Sequence, residues 1–356
     1  MPPGRKNVAD IDLNKISESL EYKAMPKVEL HRHLEGSLRL KTIVEVARAT
    51  GMTVPLHTGP LGNLVQVQTG ELKTFQNFLA KFATLRLFYR SPDIIHRITR
   101  EAIEDAALDN IRYLELRFTP IALSHAERFP LGEVIDWICE SAEKAGNDFN
   151  VQVRLLVSVN RHESVELAEQ VAWLAADRIN RNIIGMDLAG NEAEFDASQF
   201  ACIFREARES GLHTSVHAGE WAGARSVRQA LEELGAERIG HGVRILEDET
   251  VVALARDRQT VFEVCLSSNQ HTGVVALLED HPLMKMMAAG LNITLNTDDP
   301  GISQITLANE YQLACETFGM SLAVLKERIL AAARGSFLPS DLRQVLIKKI
   351  TQELYS

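Results

Sequence analysis

Eight short apolar runs, each followed by a stretch with helical periodicity, set the strongest constraint on how this chain folds. The runs lie at 28–34, 111–118, 151–159, 183–189, 213–218, 238–241, 260–267 and 292–297. Amphipathic segments at 92–109, 131–147, 164–179, 197–210, 223–234, 248–258 and 280–289 fall between them. Strand-length runs rich in β-branched residues, alternating with longer stretches of period 3.6, indicate βα units and a parallel sheet. Eight such units between residues 28 and 297 match the length of a closed (β/α)8 barrel of the TIM type. A doubly wound open sheet is the alternative. The strands are numerous and regularly spaced for that, and no G-x-G-x-x-G follows an early strand.

One segment breaks the rhythm. Between the first strand and the helix at 92–109 lie helical runs near 40–50 and 71–89. A barrel would place this excursion over the C-terminal ends of its strands. Phe75, Phe78, Leu79 and Phe82 recur at helical spacing within it. Two readings are open: packing of an extra helix, or a lid over a site on that face. Segments at 306–318, 321–333 and 339–353 add C-terminal helices to the outer ring. With no internal repeat, low-complexity tract or Pro/Ser linker, the expectation is one domain over 25–356 after an N-terminal extension at 1–24.

Composition narrows the class. The chain has 356 residues, 46% of them hydrophobic, and a net charge of −10 without any long Lys/Arg run. No basic field points to nucleic acid or to an anionic membrane surface. The four cysteines, Cys139, Cys202, Cys265 and Cys315, stand apart with no C-x-x-C pair, and the expectation is a reduced, cytoplasmic protein. Residues 1–24 lack the apolar core of a signal peptide, and no run approaches a membrane span.

The chemistry-bearing residues fall at strand ends. His31 and His33 are two apart on the first strand, a spacing that puts both imidazoles on one face. His217 ends the fifth strand and Asp298 the eighth, which neighbours the first in a closed barrel. Three imidazoles and one carboxylate suit Zn²⁺, although ligand type alone also admits Mn²⁺, Fe²⁺ or Co²⁺. Zinc there would supply the acidity that makes water a nucleophile at neutral pH. Asp299 follows the proposed ligand and His241 ends the sixth strand, so both are candidates for holding and activating that water. Their plainer readings are an Asp-Asp-Pro turn and a loop histidine between glycines. Glu220 lies three residues after His217. It reads either as a proton donor with a raised pKa or as an acid at the start of the next helix.

Taken together, these segments resemble the adenosine deaminase family of metal-dependent hydrolases within the amidohydrolase superfamily. The resemblance rests on Pro26-Lys27-Val28-Glu29-Leu30-His31-Arg32-His33-Leu34-Glu35-Gly36-Ser37 and Tyr113-Leu114-Glu115-Leu116-Arg117-Phe118-Thr119-Pro120. It continues in Asp187-Leu188-Ala189-Gly190, Val216-His217-Ala218-Gly219-Glu220, Gly240-His241-Gly242 and Asn296-Thr297-Asp298-Asp299-Pro300. The resemblance implies a single Zn²⁺ on His31, His33, His217 and Asp298. It implies that Glu220 protonates purine N1, that His241 and Asp299 hold and activate the attacking water, and that Asp299 also contacts the N7 side of the adduct. The Gly190 backbone N–H would bond N3, and Phe75, Phe78, Leu79 and Phe82 would close over the purine.

The implied activity is hydrolytic deamination of adenosine and 2′-deoxyadenosine to the corresponding inosine and ammonia, in purine salvage. The partner would be a small purine nucleoside. One departure bears on substrate: Glu35 stands where many adenosine-specific members have aspartate contacting the ribose 5′-hydroxyl. That leaves adenine, or a 5′-modified adenosine such as aminodeoxyfutalosine, as the alternative substrate. A non-catalytic purine-binding protein on the same fold is the remoter alternative. Barrel hydrolases with two metals bridged by a lysine are disfavoured, since the fourth strand ends without one. The H-x-E with P-C-x-x-C signature of cytidine-type deaminases is absent.

Overall fold

The computed structural model describes residues 20–356. The expected extension at 1–24 therefore lies mostly outside the described residues; its last part, Leu20–Ala24, is a short helix with Tyr22 buried.

Eight parallel strands follow one another around a barrel: β1 (Lys27–His33), β2 (Ile111–Phe118), β3 (Gln152–Asn160), β4 (Ile183–Ala189), β5 (His213–Ala218), β6 (Arg238–His241), β7 (Val261–Val264) and β8 (Asn292–Leu295). Each pairs with its sequence neighbour, and the long helices cover the outside. The ring closes just beyond β8. Asp298 N–H donates to His31 O at 3.0 Å and His33 N–H to Asp298 O at 2.8 Å. Two side chains reinforce the seam: Asn296 Oδ1 accepts from Leu30 N–H, and Glu29 Oε1 from Thr297 N–H, each at 2.9 Å. The Asn-Thr-Asp-Asp segment is thus both the last stave of the barrel and a carrier of site residues.

Strand β1 is not a plain alternating strand. Its register shifts between Glu29 and Arg32, which pair with Leu114 and Leu116 of β2. Three steps on one strand against two on the other is a β-bulge. It leaves Glu29 and Arg32 on the same side, where they form an ion pair at 2.6 Å. His31 and His33 face the interior.

The outer helices form where local signals agree. In Pro92–Leu108 the Ser91 side chain accepts from Ile94 N–H, Pro92 occupies the first turn, and Ile95, Ile98, Ala102, Ile103 and Ala106 bury one stripe. The C-terminal segments form Leu307–Glu316, Leu322–Gly335 and Ser340–Tyr355. The excursion after β1 holds three helices rather than two: Leu40–Thr50, Thr58–Val65 and Phe75–Leu85. The middle one contains Gly59, Pro60 and Gly62, poor helix formers, and tertiary contact overrides that propensity. The expected strand at 260–267 ends early, at Val264, and Leu266–His271 is a buried helix. Among the described residues, no helix is long and apolar enough to cross a membrane.

Candidate active site

The strand ends bring together residues that are far apart in sequence. The ligand atoms of His31, His33, His217 and Asp298 all lie within 4.8 Å of one another. His33 Nε2 sits 3.2 Å from His217 Nε2, and Asp298 Oδ1 is 3.2 Å from His31 Nε2 and 3.3 Å from His33 Nε2. Two backbones here hold a left-handed conformation rare for non-glycine residues: Asp298 has φ 64° and His241 φ 61°. Strain of that kind, on the order of 1–3 kcal/mol per residue, gathers at functional sites.

Behind the cluster lies a charged frame. Glu263 Oε2 accepts from His31 Nδ1 at 2.8 Å, and Asp187 Oδ1 from His217 Nδ1 at 3.0 Å. Each bond places the hydrogen on Nδ1, so the Nε2 lone pairs face the centre. Arg117 ties the two carboxylates together, 2.8 Å from Glu263 and 3.2 Å from Asp187. Arg238 adds a contact to Glu263 at 2.6 Å. Burial alone would raise Glu263, but the charges of Arg117 and Arg238 hold it well below the usual carboxylate range. Burial likewise works against Asp187, while the charges of His217 and Arg117 hold its carboxyl low. Both are therefore ionised acceptors. Ser268 Oγ donates to Asp298 Oδ2 at 2.7 Å.

The donor set fits a divalent metal. Burial keeps His33 well below the ordinary imidazole range, and neutral imidazole is the form that binds metal. Burial and the Arg117 charge also work against charge on His31, but its bonds to Asp298 and Glu263 leave it raised, so it favours a positive charge that a cation would supply in place of the proton. Burial keeps His241 low as well. Burial and the nearby charges of Asp298, Glu35 and Glu220 push the Asp299 carboxyl well up. Acids crowded this closely around bare imidazole nitrogens make a place where a cation is electrostatically favoured.

A cavity of about 220 Å³ opens over this cluster and is lined by His33, His217, His241, Asp298, Asp299 and Glu220. Glu220 is pushed well above the usual carboxylate range by burial, then by the charges of Asp298 and Glu192. Glu192 shapes its loop: this buried carboxylate accepts from the N–H groups of Gly219, Glu220, Trp221 and Ala222 at 2.9, 2.5, 2.6 and 3.0 Å. The alternative of Glu220 as a surface acid at a helix start does not fit its 5% exposure.

At the other end, Gly190 lines the cavity with φ 92°, and Glu35 stands 3% exposed. Glu35 Oε1 accepts from Thr119 N–H at 2.6 Å, while Oε2 has no hydrogen-bond partner. Burial pushes Glu35 up to about 7 despite the backbone amides that lower it. Phe78, Leu79 and Phe82 form one wall from the Phe75–Leu85 helix. Phe75 is not in that wall. It packs on Trp221, ring centroids 4.9 Å apart, and Trp221 lines the cavity.

Several functional residues escape a motif reading. Glu263 is a lone charge inside an apolar strand (Val261-Phe262-Glu263-Val264), a signal in the sequence, and Arg117 lies within the Tyr113-to-Pro120 motif with no role read for it. Arg86, Asn160, His162 and Trp221 join the lining from loops and helix ends, without such a signal.

Comparison with known proteins agrees with this geometry. The family model described as adenosine deaminase matches residues 26–353. The adenosine deaminase of Salmonella dublin is 36% identical over 329 residues, covering 92% of this chain and 98% of the relative. The adenine deaminase structure from Arthrobacter aurescens superposes with a TM-score of 0.86 at 27% identity, covering 93% of this chain and 100% of that one. A zinc-bound amidohydrolase structure from Burkholderia ambifaria gives 0.85 at 26%, with 94% and 91% covered. Fold, order of motifs and near full-length similarity lead to one conclusion: the chain belongs to the adenosine deaminase family.

Proposed function

We propose that this protein is a zinc-dependent hydrolase that converts adenosine and 2′-deoxyadenosine to inosine and 2′-deoxyinosine with release of ammonia. The observation that carries the proposal is that Glu220, its carboxyl raised by burial, shares one cavity with His33, His217 and Asp298, whose ligand atoms cluster with that of His31 behind them. A single Zn²⁺ held by those four residues would supply the acidity that makes water nucleophilic near neutral pH.

This chain's own groups supply the rest. Protonated Glu220 donates to N1, so that addition of water at C6 does not build negative charge on the ring. Asp299 accepts one proton of the water and passes it to the amino nitrogen; the C6–N bond breaks, ammonia leaves, and the C6 hydroxyl becomes a carbonyl, its proton returning the Glu220 carboxylate to the acid form. His241 holds the reacting oxygen. The Gly190 N–H bonds N3, and the wall of Phe78, Leu79 and Phe82 excludes water, which strengthens the polar contacts inside. We place the catalytic domain at 25–356 and the enzyme in the reducing cytoplasm, consistent with four free cysteines.

Support for a nucleoside over a free base comes from Glu35, anchored through one oxygen and leaving the other for a ribose 5′-hydroxyl. The test is turnover of the zinc-loaded protein with adenosine, deoxyadenosine, adenine and 5′-modified adenosines in parallel. Preference for adenosine supports the proposal. Preference for adenine or for a 5′-modified nucleoside would retain the mechanism and overturn the substrate.

A further inference from the structure

His241 could serve the reaction in two opposite ways, as a base through a bare Nε2 or as a donor through Nε2–H. Coordinates of heavy atoms do not show which tautomer is present, unless its surroundings fix it. Here they do, through a chain that begins at a backbone amide. Leu283 N–H, which can only donate, lies 3.1 Å from His281 Nδ1. Nδ1 is therefore an acceptor. Burial lowers His281 to about 3, so the ring is neutral and its one hydrogen is on Nε2.

That hydrogen has a partner: His281 Nε2 is 3.1 Å from Asn269 Oδ1. The same contact orients the Asn269 amide, because the atom facing a donor must be the oxygen. Asn269 Nδ2 then donates to His241 Nδ1, again at 3.1 Å. With Nδ1 accepting, the hydrogen of neutral His241 is on Nε2. Nε2 lies 3.8 Å from both Glu220 Oε2 and Asp298 Oδ2, facing the centre of the site. Asn269 is fully buried and His281 is 5% exposed, so water does not compete for these bonds.

We infer that Asn269 and His281 are positioning residues that hold His241 as its Nε2–H tautomer. His241 then donates a hydrogen bond to the oxygen reacting at C6 and has no lone pair free to accept a proton. Asp299 is left as the base, its buried Oδ1 lacking any hydrogen-bond partner; a divalent cation on the neighbouring cluster would offset the burial and carboxylate charges that raise it. The catalytic consequence rests on the deaminase proposal; the tautomer does not. The short helix Leu266–His271, which carries Asn269, is itself fixed at its start by Glu310, whose carboxylate accepts from Leu266 N–H at 2.7 Å.

The direct test is ¹⁵N NMR of protein labelled in its histidine rings, metal-free and zinc-loaded, with the His241 signals assigned by their loss in His241→Gln. The expected spectrum shows a protonated Nε2 and a bare Nδ1 in both states. A protonated Nδ1 with bare Nε2 in the wild-type protein would overturn the inference, whatever the activity. Two variants add a functional readout. Asn269→Ala should mix the two tautomers and lower kcat on the order of 10- to 100-fold with KM little changed. His281→Gln, which keeps a donor toward Asn269 Oδ1, should retain both the wild-type tautomer and most of kcat. Wild-type tautomer and kcat in Asn269→Ala would overturn the assignment. Loss of turnover on all purines with the expected tautomer intact would instead count against the deaminase reading.

Discussion

The Cβ that Gly36 lacks would stand 1.7 Å from Asp299 Oδ1. No side chain fits there unless the carboxylate moves, so glycine at 36 is a condition for Asp299, the proposed base, to hold its place. Gly36→Ala should displace Asp299 by about an ångström and lower kcat by roughly 10²-fold, the usual effect of a misplacement of that size. Metal content should stay near that of the wild type, since the four proposed ligands are untouched. Turnover and zinc content of the purified variant check this together. Activity within a few-fold of wild type would mean that Asp299 is not the base.

Glu220 sets the alkaline side of the pH profile. Its carboxyl is raised by burial and by the charges of Asp298 and Glu192, so the acid form persists toward neutral pH. The acid form is the proposed donor to N1. Activity limited by Glu220 is therefore present below its raised pKa and is lost as pH rises through it. Glu220→Gln should remove that limb and lower kcat on the order of 10²- to 10⁴-fold while zinc is retained. The profile of kcat/KM from acid to alkaline pH reads both effects. An alkaline limb unchanged in Glu220→Gln would assign it to another group.

The frame behind the cluster should govern metal affinity. Glu263→Gln and Asp187→Asn each leave a histidine hydrogen-bonded, but to a neutral acceptor in place of a carboxylate. Each should weaken zinc binding by roughly 10- to 100-fold. Glu263→Gln also leaves Arg117 and Arg238 with less compensation, so its stability should fall further. Competition with a chelator measures the first effect and thermal unfolding the second. Equal zinc affinity in both variants and wild type would contradict this role.

Glu310, which holds the start of the helix carrying Ser268 and Asn269, predicts a pH-dependent change in stability. Burial pushes its carboxyl up to about 7, against the Ser267 hydroxyl and the Leu266 and Ser267 amides that lower it. A group raised in the folded state contributes stability that is full below its unfolded pKa, near 4.5, and lost as pH rises through about 7. The shift corresponds to roughly 3 kcal/mol across that window, as an order of magnitude. Glu310→Gln should flatten the dependence of unfolding free energy on pH between about 5 and 8. An identical slope in the variant would show that other groups dominate it.

The barrel was legible because parallel strands buried on both faces produce apolar runs, and eight of them recur with helices between. The residues of the site were legible for a related reason: histidines and acids at the C-terminal ends of barrel strands have few roles other than chemistry. The bulge in β1 was not, because Glu29 alternates perfectly with His31 in sequence and only pairing with β2 reveals the shift. The expected strand at 260–267 overruns the start of the helix Leu266–His271 because Cys265 and Leu266 continue the apolar run. Ser268 and Asn269 lie just past that run, with no motif to mark them. The middle helix of the excursion, Thr58–Val65, was hidden by its glycines and proline, whose local cost is offset by packing of Leu61 and Val65.

The central claim is that water replaces the amino group at C6 of adenosine in this cavity. Its most direct test is the product formed by zinc-loaded protein from adenosine in ¹⁸O-labelled water, by mass spectrometry with ammonia measured in parallel. The expected product is inosine carrying one ¹⁸O at the purine ring, with one ammonia for each inosine. Adenosine recovered unchanged from protein that holds its zinc would contradict it.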